Sequence, residues 1–570
     1  MERKLKKPNS MIYTLNDVPP THVVVLNGIQ HVGVIAINLV YPLLLMRLLG
    51  ESPTHITNIL AIAMLVLGVA TFLQVLRLGP IGSGYMLPAT LTASYFPPSL
   101  LAAKLGGLPL VFGMTIFGGL LEMVLSPLLH KLRAIFPSEI SGLVIFMIGL
   151  SAGIAGLRSI FNAQAVPLSG AEWAVGGITL FTMIAFNVWG KGMARMLCSL
   201  IGFAVGYAAA AAAGLLGADT LLPVTQAPWI GFPDLSTVSY AFDITLAAPF
   251  AIASIAVAMK AMGTITICQR MNDADWSRPE MKSVMRGVLA DGLSTVVSGL
   301  AGGVGTNTST PSAGLAAATG VAARRVAYAT GAIFLVLGFL PKLAAVLSIM
   351  PRAVIVSSLM FVVAFIIING LQVMTSRMLD ARRTLVISLS IVAGVAVEVF
   401  PSIAASASRY VAPILGSSLV LSTVIALAMN LLFRIGVRKT LVIRLEPASY
   451  DATQIEDKLK KQGGIWGARA DVITSACWAI ANVVDAVADS CWQNGPMMIE
   501  VSFDEFNLDV KMTYEGKLLE FVQIRPTEDE ILNSEDGVRR LAGYLLRHIG
   551  NKSRSELRDG KAVLSFWFDH

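Results

Sequence analysis

Apolar stretches long enough to cross a bilayer recur from Thr21 to about Arg434, separated by short polar breaks. Crossing roughly 30 Å of hydrocarbon takes about 20 residues at about 1.5 Å each. Within hydrocarbon each segment must satisfy its own backbone N–H and C=O groups, so these stretches are expected to be helices. Composition agrees: 55% of the 570 residues are hydrophobic and only 14% are charged, too apolar for a soluble core with a solvated surface. About fourteen spans are expected, centred near residues 35, 66, 93, 120, 147, 182, 206, 255, 293, 315, 335, 362, 391 and 423.

The pattern changes at Lys439. Charges then crowd in (Glu456, Asp457, Lys458, Lys460, Lys461) and no apolar run is long enough to span. Ile473 to Ala488 reads as an amphipathic helix. Met497 to Phe503, Phe506 to Tyr514 and Ala562 to Phe568 read as strands, with a helix near Gly537 to His548. The expected organisation is an N-terminal segment, residues 1–20, a transmembrane domain, 21–438, and a small α/β domain, 439–570. The fold class is thus an all-α polytopic membrane protein with an appended cytoplasmic α/β domain.

Lys and Arg mark the even-numbered exits: Arg77; Lys131 and Arg133; Lys191 and Arg195; Arg270 to Arg286; Arg324 and Arg325; Arg377 to Arg383; Arg434 to Lys439. Gly217 to Phe242 on the opposite side has none. By the positive-inside rule both termini are cytoplasmic, at the plasma (inner) membrane. The net charge of +7 belongs largely to this bias, so no nucleic-acid partner is inferred. Met1 to Tyr13 lead into a long apolar span without a small-residue cleavage site, which favours a retained first helix. Cys198, Cys268, Cys477 and Cys491 show no metal-ligand spacing, and no metal, cofactor or enzymatic motif is read.

Two segments are unsuited to continuous helices. They are Leu78 to Leu91 (Leu-Gly-Pro-Ile-Gly-Ser-Gly-Tyr-Met-Leu-Pro-Ala-Thr-Leu) and Gly302 to Leu315 (Gly-Gly-Val-Gly-Thr-Asn-Thr-Ser-Thr-Pro-Ser-Ala-Gly-Leu). Glycine loosens the backbone and proline suits a first helical turn, so each is expected to run extended and then begin a half-helix. A pair of such breaks in corresponding parts of two halves points to a midplane binding site; either alone could simply permit close helix packing. Ionisable groups inside spans also ask for an explanation: His31 in the first, Glu122 in the fourth, Lys260 in the eighth and Asp291 in the ninth. Glu122 reads as a packing or interfacial group. Lys260 lies too deep to reach either interface and requires an anion, either Asp291 or Glu122 of the protein or a substrate.

These residues carry a resemblance to the nucleobase/ascorbate transporter family, also called nucleobase/cation symporter-2. Gly28-Ile-Gln-His31 resembles its first-span Gln-His signature, and Gly82-Ser-Gly-Tyr85-Met86 its third-span Gly-Ser-Ser-Phe segment. Arg286 to Thr295 is similar to its Arg-Gly…Asp/Glu-Gly element, and Pro311-Ser312-Ala313-Gly314 to Gly320 falls on its tenth-span signature. The resemblance implies fourteen spans as two inverted repeats of seven, with a core domain moving against a gate domain and short strands of the third and tenth spans meeting at the substrate. It also implies uptake of a nucleobase coupled to H⁺ or Na⁺, and a homodimer. The implied substrate-binding positions are Tyr85, Met86, Lys260, Thr264, Pro311, Ser312, Ala313 and Gly314, with His31 and Asp291 as a proton or coupling network.

Two departures change the expected chemistry. Lys260 stands where the family carries a base-reading Glu, and Pro311-Ser312 replace a polar residue and Asn. An ammonium only donates hydrogen bonds. A cation beside half-helix N-termini forms an electropositive site, suited to an anion or an acceptor-rich ring such as urate or xanthine. The alternatives are an inorganic or organic anion carrier of the same fold and a non-transporting ligand sensor. The tail weakly resembles the ATP-binding fold of histidine kinases, with Asn482 on the helix Asn position, but Trp478 and Tyr514 stand where acidic residues are required. An α/β module for regulation or assembly is expected.

Overall fold

A computed structural model describes the chain except residues 1–5, 78, 130–135, 162–167, 277–278, 377–378, 380, 401, 403–406, 409–410, 434–438, 447–451, 467, 469, 489–491, 504–506, 523–524, 528–529, 531–536, 548–551, 559 and 570. The chain forms two compact units, Met1–Val373 with Leu389–Ile425, and Met374–Ser388 with Ala426–His570.

The first unit is helical. Helix α1 (Thr21–Leu48) passes through a tight turn at Ile37–Leu39. Helix α2 (Pro53–Val75) starts where the Ser52 hydroxyl accepts the His55 amide at 3.2 Å, with Pro53 in the first turn. The chain then abandons helical geometry. Gly79, Gly82 and Gly84 all have positive φ, and a Cβ at Gly82 would fall 1.6 Å from the Leu76 carbonyl oxygen. Only glycine fits there. Strand β1 (Ala89–Leu91) follows, then α3 (Ala93–Leu128), which bends where Gly106 and Gly107 leave helical φ/ψ.

Next come α4 (Ser138–Phe161), α5 (Gly170–Val188), α6 (Cys198–Ala212), α7 (Ala218–Gln226), α8 (Ile244–Asn272) and α9 (Met281–Leu300). A capping box between Ser169 and Glu172 opens α5. Strand β2 (Thr306–Thr308) leads into α10 (Thr310–Thr319) and α11 (Arg324–Gly338), and then α12 (Pro341–Ser348), bent 80° from α11. Helices α13 (Arg352–Met374), α14 (Ala381–Val399) and α15 (Ser418–Phe433) complete the helical part.

Among the described residues, seven helices are long and apolar enough to cross a membrane, eight with the bent pair counted as one. Helix α5 shows their chemistry: only 17% of its apolar window is covered by protein, as lipid solvation allows.

The second unit contains a five-stranded antiparallel sheet in the order β3 (Lys439–Leu445), β4 (Trp492–Phe503), β5 (Asn507–Gly516), β7 (Lys561–Asp569) and β6 (Lys552–Arg558). It also holds α16 (Ala452–Trp466), α17 (Ala470–Ala488) and α18 (Gly537–Leu546). Along β5, Leu508, Val510, Met512 and Tyr514 alternate into the core, where they meet Ile480, Val483 and Val487 of α17. Strands β3 and β6 and helix α16 were not expected from sequence. Lys439–Leu445 and Lys552–Arg558 are short, charged edge strands, a composition that hides periodicity. Asn482 donates to the Trp478 carbonyl of its own helix, and Tyr514 is buried with its hydroxyl between Lys517 and Leu519. Residue 548, at the end of the expected helix, lies outside the described residues.

Candidate functional site

The two interrupted segments meet. β1 and β2 pair antiparallel, Ala89 opposite Thr308, Thr90 opposite Asn307 and Leu91 opposite Thr306, and all six residues are buried. A two-stranded ladder this short is not stable alone; its surroundings hold it. Asp291, Thr295 and Ser298 lie four and three residues apart, on one face of α9. The Asp291 carboxylate accepts the Thr308 amide at 3.2 Å, the Thr295 and Thr306 hydroxyls are 3.1 Å apart, and Ser298 donates to the Val304 carbonyl at 2.5 Å. On the β1 side, Asn38 donates to the Thr90 hydroxyl at 2.6 Å and the Ala89 amide donates to Thr71 at 3.1 Å. Tyr95 stands over Gly305, where a Cβ would fall 2.0 Å from its ring, and its hydroxyl lies 3.0 Å from that of Ser254.

Helix α10 starts at the end of β2. Ser309 caps it, accepting the Ser312 amide at 3.3 Å, and the Ser312 hydroxyl donates to Ser309 at 2.8 Å. Pro311 has no amide hydrogen. Of the first three helical residues, Thr310 is therefore the one whose amide is neither capped nor missing, and the N-terminus offers less to an anion than an uncapped helix would. Across from it on α8, the Thr264 hydroxyl lies 2.8 Å from that of Thr310 while donating to the Lys260 carbonyl at 2.9 Å. This bond ties the first turn of α10 to the turn of α8 that carries Lys260.

Lys260 is half-buried, with no carboxylate within 4.0 Å and no hydrogen-bond acceptor for its ammonium among the described residues. It and Asp291 are within electrostatic reach of one another. Gly263 on α8 and Gly314 on α10 border open space: a Cβ at either would meet nothing within 4 Å. Pro311 and Gly314 are exposed, while Ser312 and Ala313 are buried.

The structure thus joins some of the expected site residues and separates others. Tyr85 packs in one apolar cluster with Ala261 and Ala313, beside Lys260 and Gly314. Met86, expected beside Tyr85 at the substrate, departs from that grouping: it joins Ala316, Val321 and Val326, because the chain bends at Tyr85 and Met86 and turns the two side chains to different neighbours. Ser312 serves the cap. His31 is fully buried on α1 with no partner for either ring nitrogen, and no hydrogen bond among the described residues links it to Asp291.

Sequence reading treated Glu122 as a packing or interfacial group, or a partner of Lys260, and not as a neighbour of Asp291. Helices α3 and α9 touch backbone to backbone at Gly119 and Gly292: a Cβ at Gly119 would lie 2.7 Å from the Gly292 oxygen, and one at Gly292 2.8 Å from the Gly119 oxygen. Glu122, one turn beyond Gly119, is thereby brought into electrostatic range of Asp291, which precedes Gly292. Glu122 is fully buried and neither of its carboxyl oxygens has a hydrogen-bond partner. The amide nitrogen of Asn307 on β2 is likewise buried and unpartnered.

Apolar helices with two broken members meeting at a buried strand pair, beside an unpaired cation, define a polytopic membrane transporter. Residues 22–403 match the model of the Permease family, and the chain belongs to that family. It is a permease and not an enzyme. Among its relatives, the xanthine permease XanP of Escherichia coli K12 is 27% identical over 75% of this chain and 95% of its own length. The uric acid permease PucJ of Bacillus subtilis 168 is 28% identical over 77% and 96%. Among solved structures, the transmembrane domain of a cyanobacterium bicarbonate transporter, BicA, superposes at a TM-score of 0.46 and 16% identity, covering 72% of this chain and 99% of that one.

Proposed function

We propose that this permease is a secondary active transporter of an oxidised purine carried as an anion, of the urate or xanthine class, with Lys260 as its counter-charge. The observation that carries the reading is the half-buried Lys260 ammonium, tied through Thr264 to the start of α10 and with no carboxylate within 4.0 Å among the described residues. A cation at membrane depth requires compensation, and an anionic purine supplies both charge and acceptors. Relatives that are a xanthine permease and a uric acid permease support the purine class over a small inorganic anion. They also favour transport over a sensor without transport. In this reading Tyr85 and Ala313 form the floor of the site, Thr264 orients the Lys260 turn, and Pro311 and Gly314 border the substrate.

The accompanying architecture is fourteen spans in two inverted repeats of seven, a core domain carrying substrate against a gate domain, assembled as a homodimer. Residues 1–20 and 439–570 lie in the cytoplasm, the latter serving regulation or assembly around a transmembrane domain at 21–438. Transport is coupled to H⁺ or Na⁺.

The test is ligand-induced thermal stabilisation of the purified chain and of Lys260→Glu against uracil, xanthine, urate, guanine, ascorbate, bicarbonate and sulfate. A ligand at a hundred times its dissociation constant adds about 2.7 kcal/mol. Urate or xanthine should stabilise the wild type, and Lys260→Glu should move the preference toward neutral bases. Stabilisation by uracil but not urate, unchanged in Lys260→Glu, would overturn the reading.

A further inference from the structure

Glu122 has no part in the site just described, yet its placement is costly unless it does something. A fully buried carboxylate with no hydrogen-bond donor and no cation cannot keep its charge at membrane depth. The neighbour it has is a second carboxylate, Asp291, itself 2% exposed. Two acids sharing one enclosed site do not both ionise. The contact is built into the fold, since it follows from the glycine crossing of α3 and α9.

The groups facing the pair can be named. Lys260 on α8 acts on Asp291, and Asp291 acts on Glu122. Tyr95, in the opening turn of α3, feels both acids, and its hydroxyl is engaged with Ser254. The order Lys260, Asp291, Glu122 therefore runs from a half-open position to a fully enclosed one.

We propose that Glu122 and Asp291 hold one resident proton between them, and that they take a second, the coupling proton, cooperatively with an anion at Lys260. The mechanism is electrostatic. With the anion absent, the Lys260 charge favours ionised Asp291 and opposes a second proton on the pair. With the anion bound, the Lys260 charge is compensated, and the pair takes the second proton from the water on the side to which the site is open. By linkage the proton strengthens anion binding to the same degree. Anion and proton then travel together, and Glu122 is a coupling residue that never touches substrate.

The cooperative part rests on the reading of Lys260 above, whereas the proton-holding part does not, so the experiment has two arms. In the first, infrared spectra of the full-length chain in lipid are recorded across pH in H₂O and D₂O, with no ligand. The wild type should keep a D₂O-sensitive protonated-carboxyl band at neutral pH, and Glu122→Gln should lose it. A wild type without such a band, or a band unchanged in Glu122→Gln, overturns the shared proton whatever the substrate is. In the second arm, urate is added to wild-type protein in weakly buffered solution. The pH should rise on binding, and urate affinity should increase as pH falls. Urate binding without proton uptake overturns the coupling role. If urate does not bind at all, the substrate reading and the cooperativity fail together, while the infrared arm still decides the proton.

Discussion

Adding one methyl group at each of two glycines should change stability in opposite directions. At Gly119 a Cβ would sit 2.7 Å from the Gly292 oxygen and from the Val296 nitrogen, both backbone atoms, whereas ordinary contact begins at 3.4 Å. Gly119→Ala must therefore open the crossing of α3 and α9 by about 0.7 Å. Overpacking of this kind costs about 1–3 kcal/mol. At Gly314 nothing lies within 4 Å, and the residue sits inside α10. Gly314→Ala gains helix propensity, up to about 1 kcal/mol. Thermal unfolding in one detergent, without ligand, should rank Gly314→Ala at or above wild type and Gly119→Ala clearly below it. Urate titration should then show Gly314→Ala weakened despite its stability, because the methyl enters the space assigned to substrate. A Gly119→Ala protein that melts like wild type would refute the close crossing and the contact of Glu122 with Asp291 that depends on it.

Two predictions concern parts outside the long apolar helices. Asp17 accepts the Thr14 amide at 2.8 Å and pairs with Lys7 at 3.2 Å, and that amide bond, helped by Lys7, holds its carboxyl below the ordinary value of 3.8. Its contribution to holding the N-terminal segment is complete above pH 3.8 and is lost as pH falls through the lowered value; Asp17→Asn should expose residues 6–20 to protease at neutral pH, and unchanged cleavage would contradict this. Burial in α17, followed by the charge of Glu456, pushes the Cys477 thiol up from 9.0 to about 11. Alkylation of Cys477 should stay slow at neutral pH and accelerate toward pH 11, and stability of the second unit should fall between pH 9 and 11 as the unfolded thiol ionises first; fast alkylation at pH 8 would contradict it.

The broken helices were legible because glycine and proline act locally: Gly82 has a conformation no other residue tolerates, and Pro311 fits a first turn. The meeting of Glu122 with Asp291 was not. Glu122 and Asp291 are 169 positions apart in sequence, and what brings them together is a helix crossing set by Gly119 and Gly292. Ser312 matched a substrate position by alignment of motifs, but its neighbour Ser309 offers a nearer partner. Met86 followed Tyr85 in the motif and parted from it in space, since the backbone bends there. In the second unit, the amphipathic α17 and the apolar strands announced themselves by periodicity, while the charged edge strands did not.

The most direct test of the central claim is the equilibrium dissociation constant of urate, measured calorimetrically for wild type, Lys260→Arg and Lys260→Met. Losing a charge-assisted hydrogen bond costs about 1.5–3 kcal/mol, about tenfold to a hundredfold in affinity. Lys260→Met should lose that much for urate and nothing for uracil, and Lys260→Arg should recover part of it. Equal urate affinity in wild type and Lys260→Met would show that the ammonium does not face the substrate.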